Sequence, residues 1–267
     1  MGVRDAGFIQ LYCENNQEAY DNTIMAVKIA ERASIPVMVC YDGFITSHSV
    51  ENIMLIETED VQKFVGERKP TQYLLDDERN ISMGPMDLQK YYFEHRKQLA
   101  DAMRGAKTVI EEVSDEFYKL TGRKYDLFEN YKMDDAELGI VVLNSTAGTA
   151  KDAIDELRKN GIKAGLIKPR VFRPLPYKEI PEKLKNLKAL AILDKCDSVN
   201  GYAAPLFTEL TSAMYSAGLN VPTVDYIYGL GGVDVKVDDI LEVYKKLNEI
   251  AKTGNVEKTT YYLGMDN

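Results

Sequence analysis

The segment LGIVVLNSTAGTAKDAIDELRKNGIKAGLIKPR, residues 138–170, decides the fold of this chain. It opens with an apolar run, LGIVVLN (138–144), and closes with a second one, KAGLIKPR (163–170). Between them a loop and a helical stretch end at Gly161, a residue that favours a helix C-terminus. Two buried strands joined by a helix with short joints form a right-handed crossover. The segment therefore predicts an α/β fold with a parallel sheet.

The same alternation continues towards the end of the chain. The runs ALAILD (189–194) and TVDYIYGLGG (223–232) predict two more strands. Helical patterns occupy 179–187, 204–218 and 237–254. Three crossovers are enough for a complete small domain. We therefore expect a doubly wound, mainly parallel sheet within residues 136–254, followed by a tail at 255–267.

The first forty residues hold one further crossover. FIQLYC (8–13) and VMVCY (37–41) predict strands on either side of a helix that Asn15 and Glu18 cap. A parallel sheet must be buried on both faces, and one crossover is too short to achieve that. Residues 1–60 are therefore expected to be an incomplete α/β unit.

Residues 61–135 are predicted to be a linker that contains one long helix. The stretch 57–84 is polar and rich in loop-forming residues. From Pro85 to Gly122, apolar residues recur every three or four positions, which predicts a helix roughly 50 Å long. His95 lies on this apolar stripe, so packing is its expected role.

Composition excludes several classes of function. The formal charge is −9 and the pI is about 5.0, which disfavours binding to nucleic acid. The sequence contains no run of about 18 apolar residues, so it predicts no membrane-spanning helix. Three separated cysteines and two histidines do not predict a metal site, and the cysteines are expected to be buried, inert thiols. We expect a reducing, cytoplasmic location.

The loop YDGFITSHS (41–49) is the first candidate site, since it contains Asp42, Thr46, Ser47 and His48. A hydrolytic triad is disfavoured because neighbours in an extended backbone point to opposite faces. Two interpretations stay open. The loop is a turn in which Asp42 and Thr46 or Ser47 bond local amides, or it lines a ligand cleft at the carboxyl end of a parallel strand.

Three further segments carry weaker signals. NSTAGTA (144–150) and YGLGG (228–232) predict tight turns first and ligand contacts second. Lys168, Arg170 and Arg173 cluster within KPRVFRPLP (168–176). They are candidates to contact a phosphate or an acidic partner, or to protect a sheet edge.

Taken in order along the chain, five segments resemble the α part of 2-oxoacid:ferredoxin oxidoreductases, and the pyruvate enzyme most of all. They are GFIQLYCENNQEAYD, PVMVCYDGFITSH, LTGRKYDLFENY, GLIKPRVFRPLP and YGLGG. DGF-x-TSH and GLIK-x-R-x-(Y/F)RP are the most specific of these motifs. The resemblance extends over nearly the whole chain.

This resemblance implies oxidative decarboxylation of pyruvate with coenzyme A to acetyl-CoA, carbon dioxide and reduced ferredoxin. It also implies thiamine diphosphate with Mg²⁺ and iron–sulfur clusters in the full complex. The family's α part has a thiamine pyrimidine-type domain followed by a transketolase C-terminal-like domain. Residues 136–254 fit the second, and residues 1–60 fit only the last crossover of the first.

In the family, the residues that contact the aminopyrimidine of the cofactor and the substrate carboxylate lie upstream of the matched segment. The diphosphate–magnesium motif belongs to the β part, and the cysteines that ligate the clusters belong to another part. The resemblance therefore implies no catalytic residue, no metal ligand and no bound cofactor in this chain alone. We expect a structural and inter-subunit part that is inactive by itself. Its partners would be subunits of the β, γ and δ types, with ferredoxin reached through the complex. Asp42, Thr46, Ser47 and His48 would border the cofactor–substrate cleft or the contact with the β part.

Two alternatives stay open at this point. The first is the same class of enzyme acting on another 2-oxoacid, such as 2-oxoisovalerate. The second is a non-catalytic scaffold or binding domain derived from a split gene.

Overall fold

A computed structural model describes residues 1–70, 72–84 and 86–265 of the chain. Within these residues the chain forms eight α-helices and nine β-strands arranged in two sheets. The helices are α1 (Asn16–Ala33), α2 (Ile45–His48), α3 (Thr58–Val65), α4 (Gln89–Thr121), α5 (Thr146–Lys159), α6 (Glu179–Leu184), α7 (Pro205–Ser216) and α8 (Val237–Thr253). The strands are β1 (Ile9–Tyr12), β2 (Val37–Cys40), β3 (Phe128–Tyr131), β4 (Leu138–Val142), β5 (Ala164–Pro169), β6 (Val171–Arg173), β7 (Ala189–Asp194), β8 (Thr223–Ile227) and β9 (Thr260–Tyr262).

The large sheet confirms the predicted doubly wound, mainly parallel fold. In the described part of the chain its strand order is β3-β5-β4-β7-β8-β9. Only β3 runs antiparallel to its neighbour. The chain passes from β4 to β5 on one side and then crosses back to β7 on the other. The order of the strands therefore reverses between β4 and β7, and such a reversal is where open α/β sheets commonly bind ligands.

Helices cover both faces of this sheet, as a buried parallel sheet requires. Side chains alternate along β4, so that Ile140 and Val142 face α5 and α8. Val141 and Leu143 face α6 and α7 on the other side. Every residue of β4 is buried, which explains why its sequence is a continuous apolar run.

The small sheet has the order β2-β1-β6 in the described residues. β1 and β2 are parallel, with Ile9 opposite Val37, as the first crossover predicts. The third strand, β6, follows β5 almost directly and pairs antiparallel with β1. The first forty residues therefore take a strand from the C-terminal half of the chain. The strand predicted at 163–170 corresponds to β5 of the large sheet, and the chain continues from it almost directly into β6 of the small sheet.

Two strands of the large sheet lie outside the range predicted for its domain. β3 comes from the segment expected to be a linker, and β9 comes from the segment expected to be a tail. The sequence FENY of β3 is half polar, because β3 is an edge strand. The domain boundaries at 60, 135 and 254 stay a prediction, but the large sheet extends beyond those at 135 and 254.

The capping of α1 follows the sequence pattern, with one difference. The Asn15 side chain accepts a hydrogen bond from the Glu18 amide at 2.9 Å. The Glu18 carboxylate accepts from the amide of Glu14 at 2.7 Å rather than from that of Asn15. Both bonds satisfy amides at the entry to the helix.

The long helix α4 contains 33 residues and is about 50 Å long. Gly122 ends it in the left-handed conformation, as predicted. The predicted start at Pro85 lies outside the described residues, and the helix begins at Gln89. The second half packs into a core with α1 and β1 through Ile110, Val113 and Phe117.

The first half of α4 is exposed, so the packing role predicted for His95 is wrong. His95 Nδ1 lies 2.7 Å from Asp87 Oδ2 at the surface. A helical spacing of apolar residues does not show how far along the helix the elements that pack against it extend. Among the described residues, no helix combines the length and apolar character that a membrane span needs.

Arg170 is buried between the two sheets and the helices of the small one. Its guanidinium donates to Asn22 Oδ1 and Ser114 Oγ, each at 2.8 Å. It also donates to the carbonyl oxygens of Asp126 at 2.7 Å and Tyr125 at 3.3 Å. Burial lowers the pKa of Arg170 to about 10, so it stays charged at neutral pH. Arg170, which directly follows β5, therefore connects to α1, to α4 and to the residues that precede β3.

We expect Arg170→Met to lower the free energy of unfolding by about 3 kcal/mol, because it leaves several buried acceptors without donors. The midpoint of urea unfolding at unchanged slope measures this loss. Arg104→Met is the matched control, since the Arg104 side chain is 75% exposed, and it should change stability by less than about 0.5 kcal/mol. Equal effects in the two variants would contradict the assigned role.

Candidate functional site

Four loops meet at the carboxyl ends of the strands and form what we call the strand-end cleft. They are residues 41–49, 143–149, 195–196 and 228–235. Two cavities of about 240 and 130 Å³ open there, and Lys195 lines both of them. Three segments with weak signals in the sequence, DGFITSH, NSTAGTA and YGLGG, are therefore brought together in one place.

Asp42 joins the loop after β2 to the start of α5. Its Oδ2 accepts hydrogen bonds from the amide and the hydroxyl of Ser145, at 3.0 and 2.5 Å. Its Oδ1 lies 3.3 Å from Lys195 Nζ. The side chain is only 7% exposed. The interpretation in which this carboxylate bonds local amides is therefore wrong, since its partners, Ser145 and Lys195, lie in the loops that follow β4 and β7.

The other three residues of the loop form the short helix α2. Ser47 Oγ accepts from the Phe44 amide at 2.9 Å and lies 2.7 Å from His48 Nδ1. The expectation that Ser47 and His48 point apart is wrong, because this backbone is helical rather than extended. Both side chains are exposed, and among the described residues the structure gives His48 no carboxylate partner. The orienting acid of a hydrolytic triad is therefore not present in the described chain.

Thr46 and Asn144 each bury an unpaired oxygen close to the cleft. In the described part of the chain, Thr46 Oγ1 and Asn144 Oδ1 have no hydrogen-bond partner. Asn144 has a φ of 59°, a left-handed conformation that asparagine tolerates better than most residues. It is 9% exposed and lines the larger cavity. An unpaired buried oxygen is costly, which distinguishes both residues from ordinary turn residues.

The glycines of YGLGG make the turn that the sequence predicts and also leave room for Lys195. Gly229, Gly231 and Gly232 have φ values of 64°, 68° and 86°. A Cβ at Gly229 would lie 3.1 Å from Lys195 Cε. Lys195 was not identified from the sequence. The feature of the sequence that could have identified it is its position directly after the carboxyl end of the buried strand β7.

Two buried carboxylates were also not identified from the sequence, Asp194 at the larger cavity and Asp225 in the middle of β8. Asp194, the last residue of β7, accepts from the amides of Leu206 at 3.1 Å and Phe207 at 3.0 Å. Asp225 on β8 accepts from the amide of Ala204 at 3.0 Å. Burial raises the pKa of Asp194 to about 7 and that of Asp225 to about 6. Each is the one charged residue in an otherwise largely apolar strand, ALAILD or TVDYI, and this feature of the sequence could have identified them.

The predicted basic group is buried and already paired inside the chain. Lys168 Nζ contacts the carboxylates of Glu14, Glu18 and Glu129. Arg173 pairs with Glu209 at 2.6 Å and Asp5 at 3.1 Å. Arg170 donates to the neutral acceptors described above. A contact of these three residues with a phosphate or an acidic partner stays a prediction, and it would have to compete with these pairs.

The residues that could ligate a metal form one cluster in the described part of the chain. It consists of Glu14, Glu18 and Glu129. The ammonium groups of Lys168 and Lys151 occupy the space between these carboxylates. The three cysteines are free thiols, and burial raises the pKa of Cys13 to about 12. Cys40 and Cys196 are half-buried, so the expectation of burial holds fully only for Cys13.

Two family models match the chain. The one described as "Pyruvate flavodoxin/ferredoxin oxidoreductase, thiamine diP-bdg" matches residues 1–115. The one described as "Pyruvate:ferredoxin oxidoreductase core domain II" matches residues 136–240.

Curated relatives match nearly the whole chain. It is 45% identical to the pyruvate synthase subunit PorA of Thermotoga maritima, over 99% of this chain and 67% of that one. It is 39% identical to the ketoisovalerate oxidoreductase subunit VorA of Pyrococcus horikoshii, over 97% of this chain and 66% of that one. The chain thus spans about two thirds of the length of these relatives.

A solved structure shares the fold. It is the 2-oxoglutarate:ferredoxin oxidoreductase from Magnetococcus marinus with 2-oxoglutarate, coenzyme A and succinyl-CoA bound. The TM-score is 0.54 at 15% identity, over 89% of this chain and 42% of that one. At this identity the match shows the fold alone.

We expect Asp42→Ala to lower the free energy of unfolding by about 2 kcal/mol, because Ser145 loses its acceptor and Lys195 loses its counter-charge. Hydrogen exchange at the Ser145 amide should become faster. Asp152→Ala on α5 is the matched control, because Asp152 is exposed, and it should shift stability by less than about 0.5 kcal/mol. Unchanged exchange at Ser145 would show that the contact is not stable in solution.

Asp194 should make stability fall as the pH rises. Its pKa in the folded chain, about 7, lies above the ordinary value of 3.8. The folded state therefore binds this proton more tightly, and the resulting stability is lost as the pH rises through 7. Relative to Asp194→Asn, the wild-type chain should lose about 2 kcal/mol of unfolding free energy between pH ~5 and ~8. Parallel stability–pH curves for the two proteins would exclude this assignment.

Proposed function

This chain belongs to the α-subunit family of 2-oxoacid:ferredoxin oxidoreductases, and we propose that it is the α part of an enzyme that oxidises pyruvate. The products would be acetyl-CoA, carbon dioxide and reduced ferredoxin. The observation that carries the proposal is the 45% identity to a pyruvate synthase subunit over 99% of this chain. Because the chain spans about two thirds of that relative, the activity is proposed for a complete complex. The expected cytoplasmic location is part of the same proposal.

We propose that the described residues do not hold the metal cofactors of such an enzyme by themselves. Mg²⁺ bound to a diphosphate needs free oxygen ligands, but lysines fill the one acidic cluster in the described part of the chain. Among the same residues, the three cysteines do not form a ligand cluster for iron and sulfur. Thiamine diphosphate, where it is bound, stabilises a carbanion. We propose that other parts of the complex complete its site and that this chain alone is inactive.

The loop 41–49 is proposed to contact the β part at the border of the cofactor–substrate cleft. Asp42 anchors the loop to the large sheet, while Phe44 is 74% exposed and Ile45 is 48% exposed. Apolar side chains held in place by a buried anchor are typical of binding surfaces. Ser47 and His48, which are exposed, complete this proposed contact, and the buried Thr46 supports it from within the loop. Subunits of the β, γ and δ types are the proposed partners, with ferredoxin reached through them.

A second candidate substrate has a specific observation in its favour. The 39% identity to a ketoisovalerate oxidoreductase subunit is close to the 40% that several pyruvate synthase subunits show. 2-Oxoisovalerate is therefore the alternative substrate, for the same class of reaction. The two differ in the bulk that the 2-oxoacid pocket must accept, and such differences are worth about 10–200-fold in kcat/KM.

The test is turnover by the complex reconstituted from this chain, the upstream α segment that the family resemblance implies, and the partner subunits. We expect CoA-dependent reduction of ferredoxin with pyruvate, at a kcat/KM at least about tenfold above that with 2-oxoisovalerate. The chain alone should show no turnover. The reverse ratio would favour the alternative substrate, and no turnover with either would favour the non-catalytic scaffold.

The same preparation tests the proposed contact of the loop. Phe44→Ala should weaken assembly with the β part by about tenfold or more, as the loss of an interface aromatic usually does. Tyr215→Ala is the control, since Tyr215 is 87% exposed on α7 and lies outside the strand-end cleft. Unchanged assembly of the Phe44 variant would remove the loop from the interface.

A further inference from the structure

The short helix α2 begins at a strained turn that presents the side chain of Phe44. Phe44 has a φ of 66° and a ψ of −52°, and the Ile45 amide donates to the Gly43 carbonyl oxygen at 2.9 Å. A three-residue turn of this hand is rare, because a side chain at positive φ is strained. Such strain persists only where the surrounding structure holds it, and it is common at functional sites. The turn therefore marks the residues around Phe44 as candidates for recognition.

Ser47 holds this turn through its hydroxyl oxygen. Ser47 Oγ accepts a hydrogen bond from the Phe44 amide at 2.9 Å and lies 2.7 Å from His48 Nδ1. A hydroxyl has one proton and two lone pairs. If it donates that proton to Nδ1, both groups are paired. If Nδ1 were the donor, the hydroxyl proton would have no partner among the described residues. The first arrangement places the single proton of a neutral His48 ring on Nε2.

The ring of His48 is also held by Phe44. The two ring centroids lie 5.0 Å apart, with 33° between the planes. His48 is exposed, and in the described part of the chain its Nε2 has no hydrogen-bond partner. The loop as a whole is anchored by Asp42, through Ser145 and Lys195. The Nε2–H group is thus a directed donor that is in place before a partner binds, and such pre-organisation favours affinity.

We propose that His48 determines specificity in the contact between the loop 41–49 and the β part, and that its Nε2–H donates to an acceptor oxygen of that partner. The inference rests on the contact proposed above. A donor beside the exposed ring of Phe44 selects a partner surface that places a carbonyl or carboxylate oxygen at the edge of an apolar pocket, because a surface without the oxygen leaves the donor unpaired. Ser47 acts through His48 and is a positioning residue.

Nitrogen NMR of the imidazole groups in the purified chain tests the assigned proton. The chain contains only two histidines, so His95→Asn identifies the signals of His48. At pH ~8.5, where imidazoles are ordinarily neutral, nearly all of His48 should carry its proton on Nε2. Ser47→Ala should move a measurable fraction of it to Nδ1. A proton on Nδ1 in the wild-type chain, or a mixture that is the same in both proteins, would overturn the proposal.

Two substitutions of His48 separate its donor from its bulk. The amide nitrogen lies near the position of Nε2 in His48→Gln and near that of Nδ1 in His48→Asn. We expect His48→Asn to weaken assembly with the β part by about tenfold, and His48→Gln by less than about threefold. His95→Asn is the matched control, since His95 is exposed and outside the loop, and it should assemble as the wild type does. Thermal unfolding verifies that each variant is folded. Equal weakening by the two His48 variants would show a packing role and refute the donor.

The assembly measurements also distinguish this inference from the proposed contact. If Phe44→Ala weakens assembly and both His48 variants assemble normally, the contact stands and the role of His48 is refuted. If Phe44→Ala and His48→Asn both assemble normally, the loop does not contact the β part and the inference fails with it.

Discussion

The extended segment from Ala164 to Arg173 holds the two sheets of this chain together, because it belongs to both. β5 lies between β3 and β4 in the large sheet, and β6 pairs with β1 in the small one. This segment buries Lys168, which lies in β5, and Arg170, which lies between the two strands. Removing the partner of a buried charge leaves that charge uncompensated, which is strongly destabilising. The first forty residues are therefore fixed to the C-terminal half by backbone pairing and by the buried groups of Lys168 and Arg170. Separating the two halves would leave these groups without their partners.

This attachment places the loop after β2 beside the ends of β4, β7 and β8. Loops from different sheets meet reliably only when the sheets cannot move relative to each other, and Asp42 completes the connection through Ser145 and Lys195. A loop held at one end by a buried carboxylate can expose Phe44 without losing its position. A rigid loop loses less conformational entropy when a partner binds it, which favours affinity.

The parts of the fold that the sequence predicts are those that depend on local pattern. Continuous apolar runs identify β4, β5, β7 and β8, and the capping and glycine signals locate α1 and the end of α4. The pairing of β6 with β1 depends on residues about 160 positions apart, and no local pattern carries it. The bonds of Asp42 to Ser145 span 103 positions for the same reason. The geometry of Ser47 and His48 was mispredicted because a loop sequence does not reveal that its backbone is helical.

The role of Asp42 also limits what the cleft can bind. In α/β folds the first turn of a helix after a strand is a common site for phosphate, because its amides and dipole favour negative charge. Here the carboxylate of Asp42 occupies that position on α5 through the amide and hydroxyl of Ser145. The chain therefore supplies its own anion to this helix, and a phosphate would have to displace a buried side chain that also pairs with Lys195.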